Sequence, residues 1–214
     1  MKLLHLTIWW WIGITGMVFG ATAPEIIEAV KIKTDATPPF KAMYRQVTQT
    51  PFSPQSLVET GWLYQKGRQR RKEIQTPIRK VEIQSDTVSV NPTPISKTDI
   101  YELISRYQFV IQSETPDSWT LAGHYQTSDL ILTVSKAWYV PTEIRISDVA
   151  NHLDIRVKNA YKTVANVPIL TSSNVTVAMM VGSTSTRFES QSTYSNVQIE
   201  SSMPDSLFQD TAAQ

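Results

Sequence analysis

A chain of 214 residues, 41% of them hydrophobic, is long enough for one globular domain with a real core, or for a domain with a small annex. Its formal charge of +1 gives the whole no polyanion-seeking field, which argues against nucleic acid as a partner and makes any basic site local. The absence of cysteine excludes a disulfide scaffold, a thiolate metal site, a cysteine nucleophile and a lipidated N-terminal cysteine together.

After Met1 and Lys2 the stretch LLHLTIWWWIGITGMVFG is apolar and free of formal charge over about the length of a signal-peptide core. Residues 1–20 are expected to be an export signal, cut near residues 20–23, with a single domain over 24–214. Small residues in VFGATAPE suit a signal peptidase at Gly20 or Ala21, whereas a cut after Ala23 would put Pro24 first in the mature chain. An uncleaved membrane anchor is the alternative, because Trp9, Trp10 and Trp11 favour a membrane interface.

Over residues 24–33, PEIIEAVKIK gathers Ile26, Ile27 and Val30 on one side behind Pro and Glu, which predicts a short amphipathic helix. The prolines of TDATPP then end it. In FKAMYRQVTQT, Phe40, Ala42 and Tyr44 recur at alternate positions, so a strand fits better than a second helix, which stays open as the alternative. The same alternation continues through SLVETGWLYQKG, RKVEIQSDTVSV, QFVIQSE, SWTLAG, DLILTVS, PTEIRISD, HLDIRVKNAY, SNVTVAMMV, STRFESQS and SNVQIES, punctuated by turn formers. The implied fold is mainly β with some α, an antiparallel sheet large enough to curl. One segment departs from the rhythm: ISKTDIYELISRY has Ser96 as N-cap and spaces Ile100, Leu103, Ile104 and Tyr107 as a helix does. Two helices, lying across an open barrel, would cover its apolar inner face.

Chemistry is sparse. Outside the leader only His124 and His152 remain, in no metal-binding spacing, and Gly61, Gly67, Gly123 and Gly182 form no phosphate loop or nucleophile elbow. Asp148 and Asp154 flank His152 in SDVANHLD, but Asp and Asn favour turns, and a polar hairpin turn is the preferred reading over acid–base work. No enzyme, catalytic residue, cofactor or metal is expected. The basic run KGRQRRKE over 66–73, with Arg79 and Lys80 beyond it, suits either anionic headgroups or an acidic partner, or else a solvated edge hairpin protected by its charges.

The order of a helix, then FKAMYRQ, then GWLYQKGR resembles the start of the periplasmic lipoprotein carriers, the LolA-like or outer-membrane lipoprotein-sorting family. Their strand of Phe-x-Ala-x-aromatic-x-Gln is matched by Phe40, Ala42, Tyr44 and Gln46, and their Gly-x-Leu-x-x-Lys by Gly61, Leu63 and Lys66. The closing YSNVQIESSMPDSLFQ is similar to their last strand, through Tyr194, Asn196, Pro204, Asp205 and Phe208. Two departures stand out. The arginine that holds the carriers' lid falls at Gly67, leaving Arg68 as the nearest lid latch, and SDTVSVNPTP lacks an aromatic residue that the family carries there.

The resemblance implies an open antiparallel half-barrel with helices over a concave apolar face, working as a periplasmic carrier. Such a protein binds acyl chains of lipoproteins or lipids, taking them as a monomer from an inner-membrane donor complex toward an outer-membrane acceptor. The alternative is an envelope sensor or protein-binding module on the same fold. Candidate cavity residues are Phe40, Ala42 and Tyr44, with Trp62 or Leu63 beside them; Ile144 and Ile146; Leu153, Ile155 and Val157; Val175, Val177 and Met179; and the lid residues Ile100, Leu103 and Ile104. Val197 and Ile199 extend the set.

Overall fold

The structure is a computed structural model that describes residues 20–84, 89–90 and 104–209. Helix α1 (Ala23–Asp35) runs slightly beyond the predicted span at both ends. Its start is set by a residue before the proline: the Thr22 N–H and hydroxyl both donate to the Glu25 carboxylate, at 2.7 and 2.8 Å. That arrangement satisfies a donor that the first helical turn would otherwise leave bare. Ile26, Ile27 and Val30 are buried on one face, and Pro38 and Pro39 follow the helix end.

Among the described residues twelve strands follow: β1 (Phe40–Thr50), β2 (Ser53–Lys66), β3 (Gln69–Thr76), β4 (Lys80–Gln84), β5 (Ser89–Val90), β6 (Gln108–Glu114), β7 (Ser118–Tyr125), β8 (Ser128–Ser135), β9 (Pro141–Asp148), β10 (Leu153–Val164), β11 (Val167–Val181) and β12 (Thr184–Ile199). They form one antiparallel sheet in the order β5-β4-β3-β2-β1-β12-β11-β10-β9-β8-β7-β6. Two meanders, β1–β5 and β6–β12, are thus joined where β1 pairs with β12, with Tyr44 opposite Tyr194. The order ends at β5 and β6, so among the described residues the sheet is unclosed, as an open half-barrel requires.

Of the two helices expected to cover the inner face, one is seen in full. The described residues carry one complete α-helix, α1; the predicted helix over 96–107 lies outside them as far as residue 103, and only Ile104 and Ser105 are seen as helical. Among the described residues no helix is long and apolar enough to cross a membrane, and the predicted leader lies outside them up to residue 19.

Helix α1 packs on one face of the sheet, here called the inner face. Ala23, Ile26, Ile27 and Val30 share a cluster with Trp119, Leu121, Leu130, Leu132, Val134 and Ile144, completed by Ile104 and Tyr107. Gly123 in β7 makes room there, since a Cβ would stand 2.8 Å from the Phe109 ring and 3.0 Å from Tyr107. A second cluster, away from α1, joins Phe40, Ala42, Tyr44, Leu63, Ile74 and Ile169.

Candidate ligand-binding site

Cross-strand register shows which residues line the inner face, because directly opposed residues project to the same side. One row runs through Leu121, Leu132, Ile144, Val157 and Val175, then continues as Ser190 and Thr48. A second runs through Leu130, Ile146, Ile155, Val177 and Phe188. The inner face is therefore aliphatic from β7 to β11. Helix α1 covers the β7–β9 part, whereas Ile155, Val157, Val175 and Met179 on β10 and β11 stay only partly buried.

A third row is polar: Asn159, Ser173, Ser192, Gln46 and Glu59. It separates the aliphatic part from the second cluster, so the inner face is two apolar regions divided by a hydrogen-bonding band. Thr48 and Ser190 hydroxyls lie 3.2 Å apart, and Gln46 donates weakly to Thr48 at 3.4 Å. Lys72, facing Leu63 across the register, donates to Gln46 Oε1 at 3.1 Å and holds its ammonium 5.3 Å from the centre of the Tyr44 ring. Lys80 pairs with Glu82 at 2.8 Å and approaches Glu59 at 3.7 Å, and its hydrogen bond to Glu82 raises the ammonium's pKa, with burial opposing.

Tyr44 stands in the middle of this group. Its side chain is 3% exposed, yet the hydroxyl has no hydrogen-bond partner among the described residues. Burial first, and then the charges of Glu59 and Glu82, push its pKa well above the usual phenol range, so it remains a protonated donor.

The candidate cavity residues divide accordingly. Ile104 and Ile144 lie in the α1-covered cluster, with Ile146 and Val157 packed against it. Phe40, Ala42, Tyr44 and Leu63 lie in the other cluster, with Val197 and Ile199 packed against it. Leu153, Ile155, Val175, Val177 and Met179 share the inner face through the β10–β11 register, and of these Val177 is buried. Trp62 is a correction. Tyr44 pairs with Gly61 and Ala42 with Leu63, so strand alternation turns Trp62 to the outer face with Met43 and Glu73. Ile100 and Leu103 lie outside the described residues.

The basic run is largely spent within the chain. Arg68 binds Asp35 through two parallel hydrogen bonds, Nε to Oδ1 and Nη2 to Oδ2, both 2.8 Å. Lys66 donates to the Met203 carbonyl and the Asp205 carboxylate, while Arg71 donates to Glu73 and to the Leu207 carbonyl. The β2–β3 hairpin thus holds the end of α1 on one side and the C-terminal 3-10 helix (Asp205–Phe208) on the other. An open cleft of about 600 Å³ lies between residues 35–39 and residues 66–69. Around His152, the Asp148 carboxylate accepts from Asn151 and Thr127, which lowers its pKa and closes the β9–β10 turn; Asp154 pairs with Arg145.

Comparison places this architecture among solved structures. No family model matches the sequence, and no curated protein matches it. By structure, a DUF1329 family protein from Desulfovibrio piger superposes with a TM-score of 0.62 at 10% identity, covering 89% of this chain and 98% of that one. A LolA superfamily protein from Nitrosomonas europaea gives 0.56 at 13% identity, covering 89% and 99%. A domain from Vibrio parahaemolyticus assigned as an outer membrane lipoprotein-sorting protein gives 0.57 at 12% identity, covering 85% and 95%. The chain has a LolA-like fold.

Proposed function

We propose that this LolA-fold chain is a non-enzymatic periplasmic carrier that holds the acyl chains of a lipoprotein or lipid against its inner face on the way to the outer membrane. The observation that carries the reading is the aliphatic surface left over by the helix: Ile155, Val157, Val175 and Met179 continue the α1-covered core on the same face, yet remain partly open. An acyl chain moved through water loses about 0.8 kcal/mol of burial per methylene, on the order of 10 kcal/mol for a long chain, so a carrier must offer it a continuous apolar surface. The apolar leader over 1–20 supports export, and the likeness to a lipoprotein-sorting domain supports the cargo class. Release needs a second state of lower affinity, which movement of α1 relative to the β2–β3 hairpin would supply, with Arg68 as latch.

The test is to purify the protein from the periplasm and record native mass spectra, followed by extraction of what is bound. Stoichiometric lipid or acylated peptide is expected, and it should be lost in an Ile155→Asp, Val175→Asp variant with an unchanged circular dichroism spectrum. A wild-type protein that emerges empty and takes up no added lipid would overturn the reading and leave a protein-binding module.

A further inference from the structure

Bare aliphatic lining would serve a carrier of hydrocarbon, but the inner face is also crossed by a polar band whose members are only partly buried. Its most unusual neighbour is the Tyr44 hydroxyl, buried and unpartnered among the described residues. Buried hydroxyls are almost always hydrogen-bonded, so an orphan donor on a face suited to ligands marks either a loss of stability kept for no return or a place where a bound molecule supplies the acceptor. The neighbours define that acceptor. Two ammonium groups, Lys72 and Lys80, are balanced by two carboxylates, Glu59 and Glu82, and Lys80 touches both carboxylates. Lys72 faces Glu82 across the β3–β4 register and is already bound to Gln46 and to the Tyr44 ring. Among the described residues the surround is thus formally neutral, and an added anion would lie beside two carboxylates that are already in place. A neutral carbonyl oxygen suits these surroundings; a carboxylate or phosphate does not.

We infer that Tyr44, with Gln46 and Lys72 beside it, forms a subsite for the carbonyl of an ester- or amide-linked acyl chain. The inference rests on the carrier reading above and adds to it the polarity of the cargo's linkage. The hydrocarbon then runs from β1 across β12 and β11 toward β10, about 14 Å at about 4.8 Å per strand, onto Val175, Val157 and Ile155. The band orients the ligand, with its linkage at β1 and its tail toward α1. Such orientation is what a carrier needs if the head of its cargo is to stay accessible for transfer.

The experiment is a displacement titration of a fluorescent lipid by three single-chain competitors with wild-type protein and Tyr44→Phe. The competitors are monoolein, its ether analogue 1-O-oleylglycerol, which lacks only the carbonyl, and oleate. The wild type should bind monoolein up to about tenfold more tightly than the ether, the factor a single neutral hydrogen bond supplies. Tyr44→Phe should level the two and leave the ether's affinity unchanged. The variant should also be no less stable than wild type in urea, since it removes a hydroxyl without a partner. Equal wild-type affinity for ester and ether, an ester preference that survives in the variant, or tighter binding of oleate than of monoolein overturns the subsite while leaving the carrier intact. A clear loss of stability in Tyr44→Phe also overturns it, because the hydroxyl would then serve the fold. Failure of the wild type to bind any of the three removes both readings.

Discussion

Arg68 and Asp35 meet fork to fork, Nε to Oδ1 and Nη2 to Oδ2, joining the β2–β3 turn to the last residue of α1. The Arg68 side chain is about one third exposed and that of Asp35 half exposed, so the pair contributes to stability at most about 1 kcal/mol. Its effect should be local. Arg68→Ala is expected to change the melting temperature little while speeding hydrogen exchange at Ala36 and Thr37, whose amides bond to the Ile32 and Thr34 carbonyls. Arg68→Lys keeps the charge but loses the planar fork and should fall between the two. Unchanged protection of those amides in Arg68→Ala would show that the helix end is held by other contacts.

Gly61 allows β2 and β3 to approach where their register shifts: a Cβ there would stand 2.0 Å from the Glu73 carbonyl oxygen. Because the obstacle is backbone, it cannot swing aside, and Gly61→Ala should cost about 3 kcal/mol in urea unfolding. Gly182→Ala is the contrast. That residue has φ +63° and nothing within 4 Å of the place a methyl group would take, so only the left-handed conformation is penalised, by about 1 kcal/mol. A reversed order of the two losses would refute the close approach at Gly61.

Much of the sheet is legible in alternation, and the places where it is not share a cause. Phe40, Ala42 and Tyr44 read correctly as one inward series because polar or flexible residues separate them. Trp62 and Leu63 are adjacent and both apolar, so composition leaves their parity open; it is the pairing of Gly61 with Tyr44 that turns Leu63 inward. Gln46, Thr48, Glu59 and Lys72 are invisible as inner-face residues in the sequence, since the alternation rule assigns polar side chains to water. The only local hint is Gln46 continuing the Phe40 series. The basic run reads as a surface feature because its partners Met203, Asp205 and Leu207 lie more than 130 positions away in sequence. Likewise Thr22 escapes notice as a cap, although Glu25 stands three residues on, because Pro24 draws the start of the helix to itself.

The Thr22–Glu25 pair makes a pH prediction. Hydrogen bonds from the Thr22 backbone, then from its hydroxyl, hold the Glu25 carboxyl below its ordinary value of 4.5. A carboxyl depressed in the folded state stabilises the fold above its unfolded pKa, and that contribution disappears as pH falls through the lower folded value. Wild type should therefore be more stable than Glu25→Gln at pH 7, with the difference closing below about pH 4.5. Thermal melts of both proteins between pH 3 and 7 check this; parallel curves throughout would mean that the capping carboxylate is not engaged in solution.

The C-terminal segment is attached by two buried side chains and a few charged contacts, which can be separated. Phe208 is 3% exposed and Met203 is 6% exposed, while Arg71 donates to the Leu207 carbonyl at 2.9 Å and Lys66 to that of Met203 at 3.1 Å. Emptying the Phe208 site removes burial and leaves a hole, so Phe208→Ala should cost about 3–4 kcal/mol. Lys66→Ala loses a partly exposed ammonium whose partner Asp205 is largely in water, and should cost no more than about 1 kcal/mol. If the segment belongs to the same cooperative unit as the sheet, the loss in Phe208→Ala will appear equally in tryptophan fluorescence and in far-ultraviolet circular dichroism. If instead the segment peels away by itself, chymotrypsin will cut at Leu207 in the variant while the urea midpoint of the sheet stays in place, and the hairpin's hold on the chain's end would be a local attachment only.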